Sequence, residues 1–404
     1  MTLDQIFSSE NIKDYSRACV DIALDLPQKD FDCLLLPSRG AFPFFVGVVH
    51  ALSRLARDHT DYARFNKTLE LPRTVKSYVS EKEFGGPNSE RKVLLIPFTA
   101  DLNVSGIIDG VDESSLIDLT RDYWAHVTTS FLRDPTERKK DLRFNFFTEI
   151  ILRNVEGRER DAVAYEQFPK VSKLVMLDTV ISGRASSTII GALEKISKEH
   201  GLPSLPRFSY LIIDENGKKL KNPFKLFLDT KTYESKVQQI KIPRIVSEDE
   251  GASLEGIAAI VYPTIMKKSF GLNYRGKPLF IGAGNWVSIQ GSEPYFSVFN
   301  QFSEIVKEGI DQVLINEGYI DPSRENTGSN FETSRENFVN RLNRTKELSL
   351  KDDAGDFVTS KMPAQKVYET GSRVLHVLFS EGDTNDLLQG FADKHKGVIF
   401  DPSE

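Results

Sequence analysis

The stretch VSKLVMLDTVISGRASSTIIGALEKISKEHGL, residues 171–202, decides the fold. Leu174 to Leu177 is a short continuous apolar run, as expected of a strand buried on both faces. Asp178 to Ala185 reads as a loop. From Ser186 to His200, Ile189, Ile190, Leu193 and Ile196 recur at helical spacing, and Gly201 follows as a stop.

The same order appears upstream. FDCLLLPSRG, Phe31 to Gly40, holds the apolar run Leu34, Leu35 and Leu36, ended by Pro37. After it Phe45, Val48, Val49, Leu52 and Leu55 recur at helical spacing. A helix is also expected over Ile12 to Leu24. Further strands are expected at Thr74 to Ser80, Lys92 to Phe98 and Phe208 to Ile213, with a turn at Asp214 to Gly217. Strands alternating with helices imply crossover units and a parallel sheet, so the fold class is α/β and Rossmann-like.

Chemistry gathers at the two strand ends. Backbone N–H groups at a helix start have no intrahelical acceptor, and the helix dipole is positive there. A phosphate fits such a place. Gly183 lets the backbone turn and approach an anion. Ser182 and Ser186 add hydroxyls, and Asp178 can accept hydrogen bonds from sugar hydroxyls. In open α/β sheets ligands bind outside the carboxyl ends of the strands. The plainer readings are that Ser182 starts the helix and Asp178 is a buried acceptor.

KLVMLDTVISGRASS resembles the 5-phosphoribosyl-1-pyrophosphate signature of type I phosphoribosyltransferases. That signature is an apolar strand, two adjacent acidic residues, three mostly apolar residues and a Thr-Gly-x-Thr-like turn. Asp178 stands at the second acidic position, Ser182 and Gly183 at the Thr-Gly pair, and Ala185 or Ser186 at the closing hydroxyl. Leu177 stands at the first acidic position, a departure that bears on ribose and metal geometry. PSRGAFP, Pro37 to Pro43, is similar to the family's pyrophosphate loop. A third, weaker match is the loop Glu81 to Arg91, where relatives carry a mobile closing loop.

The resemblance implies a phosphate site at Asp178, Ser182, Gly183, Arg184, Ala185 and Ser186. It implies a pyrophosphate site at Ser38, Arg39 and Gly40, and a mobile-loop contact at Lys82. Arg39 and Asp178 are the candidate catalytic residues, with Asp178 also an indirect contact to magnesium, the implied cofactor. The implied activity is transfer of a phosphoribosyl group to an acceptor, a nucleobase by default. Two alternatives stand beside it: a non-catalytic sensor of a phosphoribosyl or nucleotide ligand, and an enzyme that cleaves a nucleotide's N-glycosidic bond. Taken alone, Arg39 reads as a surface ion pair.

Composition narrows the classes. The 404 residues are 40% hydrophobic and 27% charged, with a net charge of -6, so a sizeable core is expected and nucleic-acid wrapping is disfavoured. The two cysteines suit a reducing, cytoplasmic setting. MTLDQIFSSENIKDY has no basic start followed by an apolar stretch, so no secretory signal is expected, and no membrane-spanning run occurs. The six histidines are never paired at metal spacing. No Gly-Lys-Ser/Thr or Gly-x-Ser-x-Gly element appears, which disfavours a P-loop nucleotidase and a serine hydrolase. A protein partner or a homo-oligomer is left open.

The resemblance covers about Ile12 to Ile213. A core over residues 1–217, with an insertion at about 101–169, is expected on that basis. Short apolar runs at Lys225–Leu228, Ile240–Ile245, Ile257–Tyr262 and Pro278–Ile281 suggest a strand-rich accessory region over 218–320, ending in a helix from Phe296 to Ile315. Asp321 to Asp356 reads as a polar excursion within a terminal segment, 321–404, that returns to globular patterning after Val367. DPTERKKDLR reads as an exposed charged connection. GAGNW, Gly282 to Trp286, lacks dinucleotide-loop spacing and reads as a tight turn.

Overall fold

The computed structural model describes residues 2–37, 40–76, 78–79, 81–96, 124–141, 144, 147–148, 159–199, 201, 203–230, 235–248, 270–274, 277–281, 293–322 and 331–351. The strands are β1 Cys33–Leu36, β2 Leu69–Glu70, β3 Arg91–Leu95, β4 Leu174–Val180, β5 Phe208–Ile213, β6 Val237–Lys241, β7 Phe270–Tyr274 and β8 Lys277–Ile281. The helices are α1 Leu3–Ile6, α2 Ser9–Asp25, α3 Ala41–Asp58, α4 Thr60–Thr68, α5 Arg73–Lys76 and α6 Pro135–Arg138. They continue with α7 Glu159–Glu166, α8 Arg184–Glu199, α9 Asn222–Leu228, α10 Glu293–Asn316 and α11 Phe331–Lys351.

Strands β1 to β6 form one all-parallel sheet in the order β2-β3-β1-β4-β5-β6. The α/β, Rossmann-like reading therefore stands. The apolar runs explain the interior: every residue of β1 and β4 is buried, because helices cover both faces. β6 closes the sheet with half-buried or exposed residues such as Gln239 and Lys241, as suits an edge. It pairs with β5, so the sheet continues past residue 217. β7 and β8 form a separate antiparallel pair.

Chain order reverses direction between β1 and β4. The links after β1 lead to β2 and β3 on one side, and the link after β4 leads to β5 on the other. Right-handed crossovers in opposite directions put α3 and α8 on opposite faces. Helices α2, α10 and α11 build the layer around α3, and the core runs through Tyr15, Phe44, Phe302 and Phe338. His50 and Arg54 of α3 both reach Asp311 of α10, at 3.0 Å each.

Several elements differ from the sequence reading. Thr74 to Ser80 is expected as a strand, yet α5 occupies Arg73–Lys76, because Pro72 pre-sets the first turn and its carbonyl accepts from Val75 and Lys76. The strand pairing with β3 at that edge is Leu69–Glu70 instead. Lys225–Leu228 is helix: Pro223 stands in its first turn, and Phe224 and Leu228, four apart, are buried while Leu226 is 69% exposed. The polar excursion at Asp321–Asp356 contains α11. Its stripe of Phe331, Phe338, Val339 and Leu342 is buried, so helical spacing outweighs polar composition.

DPTERKKDLR is not simply exposed. Arg138 is fully buried and lies over the rings of Phe131 and Phe144. It donates to the carbonyls of Ser130, Phe131, Arg133, Tyr165 and Phe168, tying two turns together. Burial pulls its pKa down to about 10. Phe98, the runs at Ile257–Tyr262 and Gly282 to Trp286, and the region after Val367 lie outside the described residues. So does most of the expected insertion at 101–169.

Candidate functional site

The carboxyl ends of β1 and β4 lie side by side where the strand order reverses. Leu35 pairs with Met176, so Asp178 projects beyond the end of β1. Side chains alternate along β4, which sends Asp178 to the α8 face and Thr179 to the α3 face. The contacts agree with this alternation.

On the α8 face, the Ser186 hydroxyl donates to Asp178 Oδ2 at 2.6 Å. Asp178 is 1% exposed and Ser186 is buried beside it. The pair anchors the first turn of α8 from behind. In this arrangement Asp178 offers no open face to a sugar, and the Ser186 proton is committed to the carboxylate.

Between strand and helix, the turn is part open and part packed. Ile181 is 40% exposed, Arg184 is exposed, and Ser182 and Ala185 are half-buried. Gly183 has φ +82°, the left-handed region, which favours glycine. A Cβ there would come within 2.1 Å of the Phe224 ring, so a side chain packs against this glycine. Phe227 stacks on Phe224, with ring centroids 5.6 Å apart. The Ser182 carbonyl accepts from Lys221 N–H at 3.1 Å. Helix α9 therefore packs against the turn at Gly183, while Ile181 and Arg184 stay exposed.

On the α3 face, Gly40 is the residue before α3 and has helical φ and ψ. A Cβ on it would lie 2.2 Å from Thr179 Oγ1 and 2.1 Å from the carboxyl carbon of Glu248. The turn after β1 thus packs on the carboxyl end of β4, next to which the second turn begins. Ser38 and Arg39 lie outside the described residues.

Sequence reading missed a third component. After β6 the segment 242–248 crosses the carboxyl ends of the sheet. Asn216 N–H donates to the Ile242 carbonyl at 3.0 Å, and Ile245 N–H donates to Asp214 Oδ1 at 2.7 Å. The Tyr15 hydroxyl donates to Ser247 Oγ at 3.2 Å, and Tyr15 stacks on Phe44 with centroids 3.7 Å apart. The turn under this segment is tight: Glu215, Asn216 and Gly217 have φ of 46°, 53° and 85°. Burial raises the pKa of Asp214, against the Ile245 N–H and the charges of Lys219 and Arg244. The acidic run after Ile245 was the signal for this component, and an acidic run alone reads as a solvated face.

Lys82 is not brought to this edge. It is exposed in the turn Glu81–Glu83, and its carbonyl accepts from Lys67 Nζ at 2.8 Å. Glu83 contacts Ser53 and Arg57, roughly 20 Å along α3 from Gly40. Among the described residues no group of three His, Cys, Asp or Glu could hold a metal ion. Cys19 and Cys33 are free and buried.

Elsewhere, a groove of about 540 Å³ lies between α2 and α10, lined by Glu10, Lys13, Asp14, Arg17 and Gln312 among others. Its charges are mixed, and Arg17 is paired with Glu317, so it presents no single ligand charge. No helix among the described residues is long and apolar enough to cross a membrane. Compared with known proteins, the chain matches no family model, no curated protein and no solved structure, and what can be said of its site comes from the arrangement just described.

Proposed function

We propose that the edge between β1 and β4 binds a phosphorylated ribose, and that the chain is a phosphoribosyltransferase-like enzyme using 5-phosphoribosyl-1-pyrophosphate. One observation carries this reading: Gly40 packs on Thr179, near the carboxyl end of β4, at the reversal of strand order, so the turn that resembles the pyrophosphate loop stands beside the strand end that leads into the turn resembling the phosphate loop.

In this reading the first N–H groups of α8 hold the 5′-phosphate, with Gly183 turning the backbone toward it. Asp178 is a positioning residue that acts through Ser186. Arg39 and the Gly40 turn hold the pyrophosphate. Departure of pyrophosphate from the anomeric carbon leaves an oxocarbenium-like centre for the acceptor to attack, a nucleobase by default. The described residues offer no three-ligand cage, which suits magnesium carried on the ligand's own phosphates rather than a resident ion. Magnesium, when bound, would neutralise charge developing on the leaving group.

A second reading, a non-catalytic sensor of a phosphoribosyl or nucleotide ligand, is favoured by Leu177. That side chain is fully buried and its residue pairs with Tyr210 inside the sheet, so no carboxylate stands at the first acidic position.

Calorimetric titration with ribose 5-phosphate and with the activated ribose, with and without magnesium, tests the site. Pyrophosphate release in the presence of each nucleobase tests transfer. Binding with turnover supports the enzyme, and binding without turnover supports the sensor. Failure of every phosphorylated ribose to bind refutes both.

A further inference from the structure

The carboxyl edge of the sheet, on its β4 to β6 side, carries an unbalanced charge. Residues 218–230 hold four lysines against one aspartate, a local excess of positive charge in a chain of net charge -6. Lys219 is paired with Glu215 at 2.9 Å. Lys218, Lys221 and Lys225 are exposed and make no ion pair among the described residues, and the same holds for Arg184 and Lys241. The fold gathers these cations. Lys221 N–H donates to the Ser182 carbonyl at 3.1 Å, two residues before Arg184. Lys241 ends β6 opposite Ile213, the last residue of β5, and the chain turns from there into Lys218.

The same edge presents aliphatic side chains. Among the described residues the exposed large hydrophobics are Val163, Ile181 and Leu226, and Leu226 is the most open at 69%. Ile181 begins the turn against which α9 packs. Phe224 and Leu228 face inward from α9, so Leu226, two residues from each, stands on the opposite side of the helix. An aliphatic tip flanked by unpaired lysines suits a bilayer interface, where acyl chains lie beneath charged headgroups. A surface that stacks nucleic-acid bases needs exposed rings, whereas Phe227 is half-buried and stacks on Phe224. We infer that this face docks on an anionic lipid bilayer, with Leu226 entering the headgroup layer and Lys218, Lys221 and Lys225 among the headgroups. The remainder of the chain is net negative and is repelled by the same bilayer, so the lysine face is the one turned toward it. Docking of this kind requires no ligand at the edge between β1 and β4.

The test is co-sedimentation of the full chain with vesicles of phosphatidylcholine alone and of phosphatidylcholine and phosphatidylserine in equal parts, at low and at high salt. The chain is expected to bind the mixed vesicles, to leave the neutral ones in solution, and to be released at about 1 M salt. Combined Lys218→Gln, Lys221→Gln and Lys225→Gln substitutions should weaken binding to the mixed vesicles about a hundredfold, and Leu226→Ser about tenfold. All four side chains are exposed, so both variants should keep the melting temperature of the unaltered chain. No binding to the mixed vesicles at low salt overturns the inference, as do equal binding to both vesicle types and unchanged binding by the lysine variant. Unchanged binding by Leu226→Ser overturns the entry of that side chain into the headgroup layer. Retention on heparin without binding to vesicles also overturns the inference and gives the face to a soluble polyanion instead.

Discussion

The turns after β1 and β4 share one plan and end differently. Each follows a fully buried strand, each carries a glycine, and each opens a helix of more than 15 residues. At the first turn Ala41, Phe42, Phe44 and Phe45 are all fully buried, and Glu248 sits against Gly40. At the second, Phe224 packs against Gly183 while Ile181 and Arg184 face solvent. The same strand–turn–helix unit is therefore packed in two different ways. Segments later in the chain, around Phe224 and Glu248, decide what packs against each turn.

The largest effect that would break this comparison belongs to Gly183→Val. Left-handed backbone and the Phe224 ring act together, so stability should fall by about 3 kcal/mol in urea unfolding. A loss under about 1 kcal/mol would mean that Phe224 yields and the bracing is loose. Loss of ligand binding by this variant could not by itself identify a phosphate site, since the fold is damaged too.

Next comes the Asp178–Ser186 pair. Asp178→Ala leaves a buried hydroxyl without its acceptor and should cost about 2 kcal/mol. It should also weaken ribose 5-phosphate, because the first turn of α8 loses its anchor. A double-mutant cycle with Ser186→Ala measures the coupling, and independent, additive effects would show that the pair does not act as a unit.

Gly40→Ala should be milder, about 1 kcal/mol. The far end of Glu248 can retreat, although Thr179 cannot do so as freely. The same change combined with Glu248→Ala should recover part of the loss. No recovery would place the conflict at Thr179 alone.

A pH profile sharpens the account of the crossing segment. Burial raises the folded pKa of Asp214 above 3.8, its ordinary value. The folded chain therefore binds this proton more tightly than the unfolded chain. Asp214 contributes stability that is fully present below its unfolded pKa and is lost as pH rises through its folded pKa. Asp214→Asn keeps an acceptor for Ile245 N–H and should flatten that part of the profile of melting temperature against pH. An unchanged slope would show that another group carries it. The smallest effect belongs to exposed Arg184: Arg184→Ala should change stability by less than about 0.5 kcal/mol.

Much of the sheet was legible because the signal was local. Leu34 to Leu36, Leu174 to Leu177 and Phe208 to Ile213 are continuous apolar runs, and burial on both faces demands such runs. The helices after β1 and β4 were legible from spacing. Errors came where two readings fit one string. TVKSYVS is rich in β-branched and aromatic residues like a strand but follows Pro72, and the polar stretch holding α11 hides four buried apolar positions at helical spacing. Arg138 was unreadable for another reason: its partners are carbonyls, which every residue possesses.

Sequence by itself determined the strand–turn–helix units, the glycine and hydroxyl residues of their turns, and the carboxylate at Asp178. These follow from periodicity and residue type, which act over a few neighbours. Only the tertiary structure decided that Gly40 meets Thr179, that Asp178 is turned inward to Ser186, that Lys82 stands apart, and that Glu248 arrives from beyond β6. The contacts of Gly40 join residues far apart in the chain, which the order of strands in the sheet brings together, whereas Asp178 and Ser186 meet because the turn between them folds α8 back on β4.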